Sequence, residues 1–432
     1  LDSPSQPVRW TRRRYRPETL ILETEFETDS GAVRLIDFMT PRRHEPDLIR
    51  IVEGLRGEVP MHLELVIRFD YGSVVPWVRK MDGHLRAIAG PDALSLWSDV
   101  PAHGKDLTTQ ADFVVRAGER VPFLLMWHPA QEGSPPPFDT NEALEHSEQW
   151  WREWSQRCNY DGPWRTEVVR SLITLKALTF APTGGLVAAP TMSLPEAIGG
   201  VRNWDYRYCW LRDATYALYA LMIGGYTEEA AAWRNWLLRA VAGEPSVMQI
   251  MYGMRGERRL QEFELPWLPG YEQSRPVRVG NAAANQFQLD VFGEVMDALH
   301  LGRRYGLPAD LDAWALQRSL LGHLEAVWRD PDEGIWEVRG PRRHFTHSKV
   351  MAWVAFDRGI KAVERHGGTG PVDRWRELRA EVHAEVCRDG FSTRRNTFTQ
   401  YYGSEELDAS LLMIPLVGFL PATDPRVVGT VA

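Results

Sequence analysis

Cysteine is nearly absent from this chain. Its three residues, Cys158, Cys209 and Cys387, are odd in number and far apart, which excludes a disulfide framework and any closely spaced thiolate zinc site. A reducing compartment suits such usage, and the cytoplasm is the expected location. Long apolar runs are missing as well: no stretch approaches the ~20 residues of a membrane-spanning helix, and the first residues carry no apolar segment of the signal-peptide kind. Nor is there an excess of positive charge. Fifty Lys and Arg against 58 Asp and Glu leave a net charge of -8, and the basic clusters Arg12 to Arg14 and Arg342–Arg343 are short and have acids nearby. Neither a nucleic acid nor a membrane surface is therefore expected as a partner.

What is present is an ordinary globular composition, 44% hydrophobic and 25% charged, over 432 residues. That length exceeds one typical core, so two or more domains are expected. From Thr19 to Leu125 short alternating runs such as Leu20 to Phe26, Ala32 to Phe38 and Leu63 to Phe69 predict an antiparallel β-sandwich. Asp29-Ser30-Gly31, Met81-Asp82-Gly83 and Ala117-Gly118-Glu119 are expected to make its hairpins. The Glu132-Gly133-Ser134-Pro135-Pro136-Pro137 stretch reads as a linker. Beyond it the period becomes helical: helices are predicted over 143–157, 164–178, 205–223, 228–242, 284–304, 309–328, 346–365, 371–387 and 406–418. The expected domains are a sandwich over 1–130, a linker and linking helix over 131–160, and a helical domain over 161–432. Helices following one another without strands argue against a β/α barrel, and the long connections between some of them are where function is expected.

The segment Arg202 to Asp213 packs four aromatic rings among two Asp and three Arg. Rings can cover the C–H faces of a pyranose while carboxylates and guanidiniums take its hydroxyls. Read as a helix, it places Asp205, Cys209 and Arg212 on one face with Asp213 beside them. The alternative is a buried ion-pair network that fixes packing, although such pairs seldom stabilise more than apolar residues would. Two further loops support the sugar reading. Ser274-Arg275-Pro276-Val277-Arg278-Val279-Gly280-Asn281 offers Arg275 and Arg278, which either clamp a ligand or pin the loop to acids; it feeds a helix carrying Gln288, Asp290 and Glu294. Gly334-Ile335-Trp336-Glu337 sets a Trp against a Glu, and an apolar neighbour would raise the carboxyl pKa and keep a proton available for a leaving oxygen. His344 and His347 lack further ligands and are not read as a metal site. No metal and no cofactor is expected.

These motifs together resemble bacterial members of glycoside hydrolase family 15, the glucoamylase-like and trehalase-like enzymes. Trp210-Leu211-Arg212-Asp213 is similar to the family's Trp-x-Arg-Asp segment. That resemblance implies that Arg212 and Asp213 bind hydroxyls of a non-reducing glucose; the residues themselves add Trp204, Asp205, Arg275, Arg278 and Trp336 as candidate substrate contacts. Gly334-Ile335-Trp336-Glu337 resembles the loop of the catalytic acid, which nominates Glu337. The resemblance also implies a β-sandwich followed by an (α/α)6 toroid, and an inverting mechanism in which acid and base stand ~6.5 to 9.5 Å apart. The family's base lies in a Ser-Glu-Glu motif beyond further helices. Ser404-Glu405-Glu406 lies too early, is expected to cap a helix, and is not assigned, so no general base is found in this chain. The chain is accordingly expected to be incomplete at both ends, with its toroid cut short at the C-terminal end.

The function expected is release of glucose from the non-reducing ends of α-glucan oligosaccharides or from trehalose; the alternative is a sugar-binding protein without turnover. The expected partner is the oligosaccharide or disaccharide substrate, and homo-oligomerisation is compatible with the sequence. A lyase or prenyl-transfer toroid would need a Tyr/His base or a metal-binding set, and neither is evident.

Overall fold

The computed structural model describes residues 2–41 and 45–432 and divides after Ile173 into two compact units. The first holds strands β1 (Asp2–Pro4), β2 (Val8–Tyr15), β3 (Leu22–Thr28), β4 (Gly31–Phe38), β5 (Asp47–Leu65), β6 (Trp77–Met81), β7 (His84–Ala89), β8 (Asp92–Trp97), β9 (His103–Lys105), β10 (Thr108–Arg116) and β11 (Arg120–Pro129). One layer runs β2-β3-β4-β5-β11-β8-β7-β6. The long β5 then bends, and its second half pairs with β1 and β10 instead. Every pairing is antiparallel.

Side chains alternate across a strand, so β4 and β5 feed two cores. Val33, Leu35 and Val52 meet Met61, Leu63, Ala111 and Val115 from the second half of β5 and from β10. Ile36, Phe38, Ile49 and Ile51 face the other way, where Ala143 and Leu144 cover them. Those two belong to α1 (Thr140–Gln156), whose first turn is capped by the Asp139 carboxylate accepting from the Asn141 and Glu142 amides.

Two of the three expected hairpin turns form, at Asp29–Ser30 and Asp82–Gly83. The third does not. Ala117-Gly118-Glu119 joins β10 to β11, which pair with opposite halves of β5 and not with each other. Its amides at Ala117 and Gly118 bond back to the Gly57 and Gly54 carbonyls at the bend of β5, so the turn carries the chain from one layer to the other.

After α2 (Arg165–Ala177) the second unit is helical. It contains α3 (Leu211–Ile223), α4 (Thr227–Ala240), α5 (Asp290–Arg304), α6 (Leu311–Val327), α7 (Thr346–His366), α8 (Val372–Asp389), α9 (Met413–Leu416) and α10 (Pro425–Val431). α3 with α4, α5 with α6 and α7 with α8 form helical hairpins, and α3, α5 and α7 are neighbours in one row. α5 and α7 are buried along most of their length, while α4, α6 and α8 bury one face. Residues near the start of each row helix meet: Thr215 donates to the Glu294 carbonyl at 3.2 Å, and Gly293 lies against the Met351 backbone. A Cβ built on Gly293 would stand 2.2 Å from the Met351 oxygen, so only glycine permits that approach. The N-termini of α3, α5 and α7 thus lie side by side.

Two predicted helices are corrected. The 284–304 segment forms a 3-10 turn over Ala282–Asn285 and starts its α-helix only at Asp290. The 406–418 segment is irregular through Asp408, then a 3-10 turn over Ala409–Leu412 and the short α9, which contains Pro415. Ser404, Glu405 and Glu406 cap nothing helical; Asp408 does, accepting from the Ser410 amide.

Candidate active site

The Arg202–Asp213 segment does not form the helix expected from its spacing. Asn203–Asp205 is a short strand paired with Met192–Pro195, Cys209–Trp210 pairs with Met251–Tyr252, and helix begins only at Leu211. The physical reason is Asp205. Its carboxylate accepts from the Arg207 amide at 3.2 Å, the Arg207 guanidinium at 2.8 and 2.9 Å and the Gly280 amide at 3.2 Å. Such local side-chain bonds compete with helix formation. Asp205, Cys209 and Arg212 therefore share no face, and Asp205 is fully buried, with both its oxygens engaged by protein.

Arg212 and Asp213 occupy the first turn of α3. The Arg212 guanidinium lies 3.2 Å from Asp213 and 3.3 Å from Glu337, and it donates to the Ile335 carbonyl at 3.1 Å. The same Glu337 oxygen accepts from the Trp210 indole at 2.7 Å. Its second oxygen has no hydrogen-bond partner among the described residues. A cavity of about 490 Å³ opens here, lined by Arg212, Asp213, Tyr216, Trp336, Ile335 and the apolar Leu178, Leu186 and Val187.

The loop bearing Glu337 is closed at its neck by Asp332 and Arg343, whose backbones bond each other at 2.9 Å in both directions. Below the neck, the Asp332 carboxylate accepts from the Leu289 amide and the Ser348 hydroxyl, while the buried Lys349 ammonium donates to the Trp328 and Asp330 carbonyls. Burial lowers the Lys349 pKa to about 8. Burial also lifts Asp332, with the charge of Asp290 adding, to about 7.

The floor of the site concentrates acid. Burial opposes the charge on Arg212, but Asp213, Asp290, Glu337 and Glu294 surround it and hold it above the ordinary arginine range. Burial raises Asp290 to about 6 against the pull of Arg212. Glu294, one helical turn further on, is pushed well above the carboxylate range by burial and then by Asp290 and Asp297. Tyr216 is raised by burial and by the same two acids, Glu294 and Asp290.

Trp336 does not do what its place in the sequence suggested. Instead of covering Glu337, its indole N–H turns away to Asp408, at 2.9 and 3.0 Å; Trp210 and Arg212 are the groups that hold the Glu337 carboxyl. Trp204 lies between the guanidiniums of Arg278 and Arg339, 4.7 and 4.3 Å from its ring. Arg278 is spent on the Val201 carbonyl and on Glu262 and Glu264, the loop-pinning alternative. Arg275 is exposed. Of the predicted site residues, Arg212, Asp213 and Trp336 line the cavity, while Glu337, Trp204, Asp205, Arg275 and Arg278 do not.

Among the described residues no cluster of His, Cys, Asp and Glu could hold a metal ion. His347 is buried without a partner for either ring nitrogen, and His344 stacks on Tyr402. Sequence reasoning did not single out Trp210 as a donor to Glu337, Tyr216 in the cavity wall, or Asp408 as the partner of Trp336. Tyr216 had a signal, standing one helical turn after Arg212; Asp408 had none besides its place in the Leu407-Asp408-Ala409-Ser410 stretch.

Residues 162–432 match the family described as Glycosyl hydrolases family 15. The chain belongs to glycoside hydrolase family 15. It is 39% identical to a trehalase of Mycobacterium tuberculosis over 97% of this chain and 66% of that protein. It is 34% identical to a trehalase of Thermoplasma acidophilum over 96% of this chain and 72% of that one. The chain thus spans about two thirds of the length of these family 15 relatives. A bacterial glucoamylase solved in complex with acarbose has the same fold, with a TM-score of 0.70 at 12% identity over 98% of this chain and 69% of that structure. No helix among the described residues of this family 15 chain is long and apolar enough to cross a membrane.

Proposed function

We propose that this family 15 chain carries the sugar-binding and acid half of an inverting α-glucoside hydrolase, acting on trehalose or on α-glucan oligosaccharides from their non-reducing ends. One observation carries the reading. Arg212 and Asp213 line a cavity walled also by Trp336 and Tyr216, and Glu337, 125 residues after Arg212, reaches that cavity through its ion pair with Arg212. In this reading Arg212 and Asp213 bind glucose hydroxyls through charge-assisted bonds. Trp336 covers an apolar face of the sugar. Glu337 gives a proton to the glycosidic oxygen from the oxygen that Trp210 and Arg212 leave free. An inverting enzyme needs a second carboxylate to activate water on the opposite face, and this reading assigns that base to no residue of the chain. The helical hairpins of the second unit, with α3, α5 and α7 in a row, support an (α/α)6 arrangement.

The relatives named trehalases favour trehalose. The test is glucose release from trehalose, maltose, isomaltose and panose by the protein and by its Glu337→Gln variant. Turnover of at least one sugar, falling about 10²- to 10⁴-fold in the variant with binding retained, supports the reading. Binding of these sugars without turnover by the parent would leave a sugar-binding protein, and full activity in the variant would move the acid elsewhere.

A further inference from the structure

Trp336 and Glu337 are adjacent in sequence but are held from opposite sides. Gly334 and Glu337 both take left-handed backbone angles, φ 70° and 54°, around Ile335 and Trp336. A Cβ on Gly334 would stand 2.6 Å from the Phe345 ring, so the tip is pressed against the start of α7. From there Glu337 reaches Trp210 and Arg212, and the Trp336 indole reaches Asp408 on a separate segment, 72 residues later. Asp408 is itself fixed. It accepts from the Gln400 amide side chain at 3.1 Å and from the Ser410 backbone at 2.8 Å, and Gln400 is tied by its own backbone to Thr346 and Glu406.

A half-exposed tryptophan, 55% accessible, would ordinarily sample several rotamers. Here the carboxylate takes its N–H with both oxygens, and charge-assisted bonds of that kind are directional. Binding costs less when a side chain is already ordered in its bound geometry.

We infer that Asp408 is a positioning residue, which locks the Trp336 indole in place as the platform for the apolar face of an α-glucoside and so sets affinity for the sugar unit packed there. The inference rests on the sugar-binding reading given above. Asp408 touches no reacting atom in it; its effect passes entirely through the indole N–H.

The test is a double-substitution cycle read by equilibrium binding of trehalose and maltose to the full chain. Trp336→Phe keeps a ring and removes the N–H, and at a half-exposed position it leaves the fold intact. Asp408→Asn keeps the shape and one acceptor, and serves if Asp408→Ala fails to fold for want of its cap at Ser410. Each single substitution is expected to weaken binding about tenfold, equivalent to ~1.4 kcal/mol, and the double variant no further. Unchanged affinity in the Asp408 variants, with the parent binding sugar, overturns the inference and leaves the proposed function standing. Losses that multiply in the double variant also overturn it, because Asp408 would then act by another route. A parent that binds neither sugar removes the sugar-binding reading, and this inference with it.

Discussion

Asp290 offers a test in which electrostatics and stability can be read together. Its carboxyl is fully buried at the start of α5, and its pKa rises from an ordinary 3.8 to about 6 because burial outweighs the attraction of Arg212. Each pKa unit is worth about 1.4 kcal/mol, so the ionised form lies about 3 kcal/mol less favourably placed in the folded protein than in the unfolded chain. The direction follows from linkage. Between 3.8 and about 6 the folded state binds the proton more tightly, so stability falls as pH rises through that window, and the penalty is complete above it. Asparagine has the same shape and no charge to bury. Asp290→Asn is therefore expected to be more stable than the parent at pH 7.5 by up to about 3 kcal/mol, and the gain should be about 2 kcal/mol smaller at pH 4.5. Urea unfolding at the two pH values measures both. A gain that is absent at pH 7.5, or the same at both pH values, would refute the argument that a destabilising charge is held beneath Arg212. Were the gain accompanied by weaker sugar binding, the charge would be one retained for function at the expense of stability.

His347 should show the opposite slope. Burial lowers its pKa from 6.5 to about 4, so the folded state is protonated less readily and stability is lost as pH falls from 6.5 to 4. His347→Leu should remove a loss of about 3 kcal/mol, seen as a flatter dependence of the urea midpoint on pH; an unchanged dependence would contradict it. Gly293→Ala should destabilise by about 1–3 kcal/mol through overpacking against α7, and an unaltered melting temperature would rule out the close approach of α5 and α7. Trp210→Phe keeps the buried ring and removes the 2.7 Å donor to Glu337. A hydrogen bond is worth ~0.5–1.5 kcal/mol, so kcat on the turned-over sugar should fall by about two- to tenfold, and an unchanged kcat would show that the contact does not serve the acid.

The legible parts of the fold were those written in local periodicity. Alternation marked the strands that feed the two cores of the first unit, and apolar recurrence marked helices over 309–328, 346–365 and 371–387 that form as α6, α7 and α8. Periodicity failed where a side chain bonded its own backbone. Asp205 suits a helical pattern on paper, but it turned the chain by accepting from Arg207 and Gly280. The Ala117 turn failed for a different reason: a tight turn looks the same whether the strands it joins pair with each other or with two halves of a third.

In the candidate site, the sequence by itself named the residues: an Arg-Asp pair, a Trp-Glu tip, and the acids Asp290 and Glu294 on a later helix. Residue type and short-range order carry that much. Only the tertiary structure decided who faces whom. It set Glu337 against Trp210 and Arg212, turned Trp336 to Asp408, and consigned Trp204 and Arg278 to pinning a loop. The reason is physical. Neighbours in an irregular loop need not point the same way, and which carboxylate or guanidinium each one meets depends on side-by-side helix starts brought together across more than a hundred residues, a distance over which local pattern carries no information.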